Sequence, residues 1–209
     1  MMKIESVASQ PDRAGRHAVR FDDGTVMRLY PQTVQDFGLY TDKELTDEEM
    51  TALRTAAGAM SAKMRAVRIV ASTAVSKRDL EERLIQKGED PTQAKDAVQW
   101  MAELNLLDDR AVGEQIVNRC ISKGYGLSRA KQALYEKRIP KQYWDEILSG
   151  YPDQQEAIVS FLKTKLGQSK NSRELKKVID ALIRRGHSYG QIRKALAELE
   201  MDPYEFREE

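Results

Sequence analysis

Residues Leu106 to Ile139 read LLDDRAVGEQIVNRCISKGYGLSRAKQALYEKRI, and the fold follows from this stretch. Val112, Gly113, Ile116, Val117, Cys120 and Ile121 recur at helical spacing, so a helix starting near Asp109 carries one small-to-apolar stripe that must be buried. Lys123-Gly124-Tyr125-Gly126 ends it, because glycine enters the left-handed dihedrals of a helix C-cap without a Cβ penalty. A second helix follows at once, with Ala130, Ala133 and Leu134 inward and Arg129, Lys131, Lys137 and Arg138 elsewhere. Two short helices with basic outer faces cannot enclose a core by themselves, which directs attention to internal copies.

Copies are present. A shift of 98 residues lays Leu84-Ile85-Gln86-Lys87-Gly88 on Leu182-Ile183-Arg184-Arg185-Gly186, and Ala94, Ala97, Val98 and Met101 on Ile192, Ala195, Leu196 and Leu199. A shift of 50 lays Leu80 and Leu84 on Ala130 and Leu134, and Ala94 and Val98 on Trp144 and Leu148. The chain therefore reads as three tandem three-helix units, each with a second helix ending in a basic residue.

At 209 residues the chain is long enough to bury a core without staples. Its 41% apolar and 32% charged content suits thin helical layers with much solvated surface. A single cysteine, Cys120, forbids an intrachain disulfide framework and points to a reducing, cytoplasmic setting; no apolar run approaches the ~20 residues of a membrane span, and no signal-peptide core opens the chain. Net charge is +1, but residues 1–60 hold 7 basic and 10 acidic side chains whereas 161–199 hold 10 basic and 3 acidic. The concentrated cations suit a polyanion or an acidic protein surface.

In chain order, Lys3–Val7, Ala18–Phe21 and Val26–Tyr30 read as short strands, with Asp22-Asp23-Gly24-Thr25 as a hairpin turn. Pro31–Phe37 suits one helical turn. Thr46 and Glu49 form a capping box whose helix runs to about Ala57, where Gly58 offers a break. Ala66, Val67, Val70, Ala71 and Ala74 then form the first inner stripe, with Arg65 and Arg68 largely outside. Ser76 caps the next helix, and Asp90-Pro91-Thr92-Gln93 supplies a cap, a first-turn proline and a glutamine for the third. Asp153 with Glu156, and Ser188 with Gln191, open later helices, and Gly167 to Asn171 is a polar connection. The expected divisions are 1–60, an N-terminal β-hairpin plus helix; 61–108, 109–152 and 153–201, three three-helix repeats; and 202–209, an acidic tail that frays.

No enzymatic constellation is present. His17 and His187 lie in different regions, one cysteine cannot form a zinc ligand set, and Gly124-Tyr125-Gly126 lacks the third glycine and preceding strand of a dinucleotide site. Asp108-Asp109 reads as a helix cap, His187 as a surface or capping residue and Cys120 as core. No catalytic residue, cofactor or metal is expected. What remains is a set of cations at the ends of second helices, Lys87, Lys137 with Arg138, and Arg184 with Arg185. The helix macrodipole favours them there by about 0.3–1 kcal/mol. It does not account for Lys163, Lys165, Lys170, Arg173, Lys176, Lys177, Arg193 and Lys194.

These residues resemble the RecX family of regulatory proteins, which modulate the RecA recombinase. The resemblance rests on Leu107-Asp108-Asp109, on Lys123-Gly124-Tyr125-Gly126 followed by Arg129 and Leu134, and on Ser76 to Gly88 in the first repeat, and it extends over about residues 60–200. Val112-Gly113, where the family tends to an aromatic and alanine, and Arg138, where glycine is usual, depart from it; the first is expected to loosen helix packing and the second to change a C-cap. The resemblance implies a curved array of three-helix repeats, acting as a monomer in the groove of a RecA filament on single-stranded DNA. It further implies modulation, foremost inhibition, of filament growth, ATP hydrolysis and strand exchange in recombination and the SOS response. The candidate partner- or nucleic-acid-binding residues are Arg65, Arg68, Lys87, Lys123, Tyr125, Arg129, Lys137, Arg138, Lys176, Lys177, Arg184, Arg185, Arg193 and Lys194. Weak direct DNA binding stays open, as do two other readings: a helix-turn-helix-like regulator of duplex DNA and a structural adaptor without nucleic acid.

Overall fold

The structure, a computed structural model, describes residues 1–167 and 172–201. The expected connection through Gln168 to Asn171 and the acidic tail from 202 lie outside the described residues. The chain divides into two compact units, Met1–Leu107 and Asp108–Glu209.

The first unit opens with four antiparallel strands, β1 (Met2–Val7), β2 (His17–Phe21), β3 (Val26–Leu29) and β4 (Glu44–Leu45), in the order β3-β2-β1-β4. The expected hairpin joins β2 to β3, with Arg20 opposite Val26 and Gly24 at φ +85° in the turn. Helix α1 (Pro31–Asp36) follows, and α2 (Asp47–Ser72) begins at the expected capping box: Thr46 Oγ1 accepts from the Glu49 amide at 3.1 Å and Glu49 Oε2 accepts from the Thr46 amide at 2.7 Å. Period-two alternation turns Val19 and Phe21 inward onto Ile4, Leu29 and Leu45, and Met50 and Leu53 of α2 close this core.

The expected break at Gly58 does not occur, and position 60 lies inside α2, a continuous helix of 26 residues. Gly58 serves packing instead: a Cβ there would lie 2.3 Å from the Gln93 side chain, whose carboxamide donates to the Thr55 carbonyl at 3.3 Å. The first half of α2 thus packs on the sheet. Its second half, through Ala62, Ala66 and Ile69, packs with α3 (Lys77–Gln86) and α4 (Pro91–Glu103) around Leu80, Leu84, Ala94, Ala97 and Met101. Alanines on both α2 and α4 let those helices approach closely.

The second unit holds α5 (Asp109–Ser122), α6 (Leu127–Glu136), a 3-10 turn (Lys141–Tyr143) and α7 (Trp144–Leu148), followed by α8 (Gln155–Leu166), α9 (Ser172–Arg184) and α10 (Tyr189–Glu198). Asp108 caps α5, accepting the Ala111 amide at 3.0 Å. Val112, Val117, Leu134 and Ile139 form one core, bordered by Trp144 and Ile147; Ile158, Leu162, Leu182, Ile192, Ala195 and Leu196 form the next. Two expectations are corrected. Helix α8 is capped by the backbone of Gln154 rather than by Asp153, whose carboxylate reaches only the Gln155 amide. Gly113 does not loosen its helix, because the Ile147 side chain fills the space a Cβ would take, 2.6 Å away.

The repeat offsets hold in three dimensions. Leu84, Leu134 and Leu182 are each fully buried, and four residues later Gly88, Arg138 and Gly186 adopt φ of +88°, +56° and +87°. At each end the residue after the left-handed one donates its amide back to that leucine's carbonyl, from Glu89 at 3.1 Å, Ile139 at 3.0 Å and His187 at 3.2 Å. This is the Schellman motif, three times over.

Candidate partner-binding surface

Within the second unit, two glycine turns meet. The Gly126 amide donates to the Arg185 carbonyl at 2.9 Å, and the buried His187 lies 3.0 Å through Nε2 from the Gly124 carbonyl, so that nitrogen carries the proton. The Tyr151 hydroxyl donates to the Tyr125 carbonyl at 2.6 Å. Glycine is required on both sides: a Cβ on Gly126 would lie 2.1 Å from the Gly186 carbonyl oxygen, and one on Gly186 would lie 2.3 Å from the Arg129 nitrogen. The motif Gly124-Tyr125-Gly126 is therefore a docking turn for Arg185-Gly186-His187. His187 is 4% exposed, not the surface or capping residue expected, since its turn is covered by another.

The junction collects three of the candidate residues and turns them toward structure. The Arg185 guanidinium sits 4.4 Å from the Phe161 ring centroid and 5.5 Å from that of Tyr125, and both Arg185 and Tyr125 are half-buried. Arg129 pairs with Glu136 at 3.1 Å. Burial pushes the Tyr151 hydroxyl up to about 12, so it remains a donor. Burial likewise raises the Cys120 thiol, against the weaker pull of Arg129 and nearby cations, and keeps it in the unreactive protonated form expected of a core cysteine. For His187, burial is the leading influence and lowers its pKa; the Gly124 hydrogen bond opposes this and the Arg185 charge adds to it.

In the first unit, Arg65 is held by Glu89, which is buried and also accepts from Ser61, and Arg68 donates to the Tyr30 hydroxyl at 2.7 Å. The other candidates point outward. Lys87, Lys123, Lys137, Lys176, Lys177, Arg184, Arg193 and Lys194 are exposed, while Arg138 is half-buried with its guanidinium 5.8 Å from the Tyr135 ring centroid. Helices α9 and α10 turn Leu175, Val178, Leu182, Ile192, Ala195 and Leu196 inward, so 3.6-residue periodicity presents Lys176, Lys177, Arg184, Arg193 and Lys194 to solvent. Among the described residues, no group of three or more histidine, cysteine, aspartate or glutamate side chains can hold a metal ion, and no helix is long and apolar enough to cross a membrane.

The arrangement presents exposed cations on α9 and α10. Sequence reasoning found the turns and cations but missed the contact between residues 124–126 and 185–187. A signal existed in the pairing of two glycine turns with a histidine beside one of them.

No family model matches the chain. A regulatory protein RecX of Chlorobaculum tepidum is 32% identical over 139 residues, spanning 65% of this chain and 86% of the relative. One from Clostridium perfringens strain SM101 is 24% identical over 196 residues, 90% of this chain and 92% of the relative. In fold, the chain resembles a crystal structure of regulatory protein RecX with a TM-score of 0.63 and 19% identity, over 95% of this chain and all of that one. It also resembles the crystal structure of RecX from Lactobacillus salivarius, with a TM-score of 0.57 over 69% of this chain. With the tandem helical repeats and the extent of these matches, the chain belongs to the RecX family of regulatory proteins.

Proposed function

We propose that this protein binds RecA filaments on single-stranded DNA and restrains their growth, ATP hydrolysis and strand exchange, without a catalytic step of its own. The observation that carries this reading, beside family membership, is the outward set of Lys176, Lys177, Arg184, Arg193 and Lys194 on α9 and α10. Each is exposed, and among the described residues none forms an ion pair. Such cations complement the phosphates and acidic protein surfaces of a nucleoprotein filament. The duplex-DNA alternative is weakened by α7, which has five residues and carries Asp145 and Glu146 in its first turn, where a recognition helix meets base edges.

Charge reversal tests the reading. The variant K176E/R184E/R193E/K194E changes only exposed positions and leaves Arg185 in its aromatic sandwich, and thermal unfolding checks that the fold is retained. It is expected to bind RecA-coated single strands at least ~10-fold more weakly at low salt and to show a shallower loss of affinity as salt rises. Affinity and salt slope equal to the parent's would place binding on another face.

A further inference from the structure

The last turn of each second helix carries an exposed apolar side chain at one equivalent position. Ile85, Tyr135 and Ile183 are 40%, 61% and 48% exposed, although each directly follows a leucine that is fully buried. The helix ending does not call for apolar side chains here. In a Schellman ending the apolar contact belongs to the buried leucine, while Ile85, Tyr135 and Ile183 supply backbone carbonyls that accept from residues 88, 138 and 186 at 2.9, 3.0 and 2.9 Å; the Tyr135 ring also faces the Arg138 guanidinium at 5.8 Å. Polar residues would serve that role and lower the exposed apolar area. A single exposed aliphatic residue is ordinary on any surface, but recurrence at the same position of three repeats is not explained by scatter.

The surroundings specify the kind of partner. Cations stand beside each apolar side chain, Lys87 near Ile85, Lys137 and Arg138 near Tyr135, and the exposed Arg184 next to Ile183, whereas Arg185 is held between Phe161 and Tyr125. An apolar tip beside positive charge fits an apolar depression edged by carboxylates, which is a protein surface; a phosphate backbone offers the charge but no apolar socket. Equivalent tips in tandem repeats call for equivalent sockets, as in a polymer of identical subunits.

We propose that Ile85, Tyr135 and Ile183 are protein-contact anchors, one per repeat, each seating in an acid-rimmed apolar socket on a subunit of the filament. The assignment rests on the filament reading above and deepens it, since the anchors supply salt-insensitive affinity while the cations of α9 and α10 supply the salt-dependent part. Each anchor acts through its own helix, so their losses multiply.

The test uses the full-length protein with I85A, Y135A and I183A singly and together, and thermal unfolding verifies that these exposed substitutions leave the fold intact. Binding is measured on RecA-coated single-stranded oligonucleotide, and on the same oligonucleotide bare, at two salt concentrations. Each single variant is expected to lose about 3- to 10-fold in affinity for the filament, and the triple variant about 30- to 1,000-fold, with the parent's salt slope retained. A triple variant within twofold of the parent overturns the anchors. So does an equal loss on bare oligonucleotide, which would assign the side chains to base stacking. A parent protein that fails to bind the filament at all overturns the filament reading, and the anchors' partner with it, before any variant is compared.

Discussion

Position 138 carries an arginine where the equivalent turns carry glycine, and all three adopt positive φ. The left-handed region brings the Cβ of an L-residue against the following carbonyl oxygen, a strain of about 1–2 kcal/mol that the Arg138–Tyr135 contact partly offsets. Arg138→Gly is therefore expected to raise stability by about 0.5–1 kcal/mol, read as a higher urea midpoint. Gly186→Ala has the opposite sign: beyond its φ of +87°, the new Cβ meets Arg129 backbone at 2.3 Å, and a loss above about 2 kcal/mol is expected in the same measurement. His187 adds a pH dependence. Its folded-state pKa is lowered from 6.5, so below that value the unfolded chain takes up a proton that the folded chain does not. Stability is then complete above about pH 6.5 and falls as acid is added through the window down to the lowered value. His187→Gln, which keeps a donor toward Gly124, should flatten the change in urea midpoint between pH 7.5 and 5.5 relative to the parent; an unaltered pH dependence would show that His187 is not its source. The caps at Thr46, Ser76, Asp90, Asp108 and Ser188 were legible because each depends on residues three apart at most. The burial of His187 was not, since what covers it lies 63 residues away.

Among the elements, α2 departs most from its sequence reading. An isolated glycine in a helical pattern marks either a break or a close approach, and local sequence does not separate the two. The crossing of Gln93 over Gly58 decides it. Because the helix is continuous from Asp47 to Ser72, Gly58→Pro removes an interior hydrogen bond and is expected to destabilise the first unit by about 3 kcal/mol or more. A neutral effect on the urea midpoint would restore the break. Strand β4 went unseen for a different reason, as its two residues are too few to express a period. The longer strands and the helices of the repeats were legible because their buried positions recur at 2 or 3.6 residues. Helix α7 kept its apolar residues but only five positions, its first turn tightening to a 3-10 form after Pro140.

For the whole molecule, the repeat carried most of the information. Offsets of 50 and 98 residues superpose cores, turns and cations in the sequence, and the buried leucines at 84, 134 and 182 bear out the correspondence. The candidate surface was legible only in part. Charge counts found the basic third repeat, but they do not distinguish a cation held in the fold, such as Arg65 or Arg185, from one presented to solvent, such as Arg193. That distinction depends on partners distant in sequence. It directs attention to Lys176, Lys177, Arg184, Arg193 and Lys194, exposed on α9 and α10, and to the exposed side chains of Ile85, Tyr135 and Ile183. The most direct measurement of the central claim is ATP hydrolysis by RecA on single-stranded DNA, with this protein titrated from far below to above the RecA concentration at low and high salt. Inhibition setting in well below one molecule per RecA, and weakening as salt rises, is the expected result. Hydrolysis unchanged at every ratio and both salt concentrations would contradict the account.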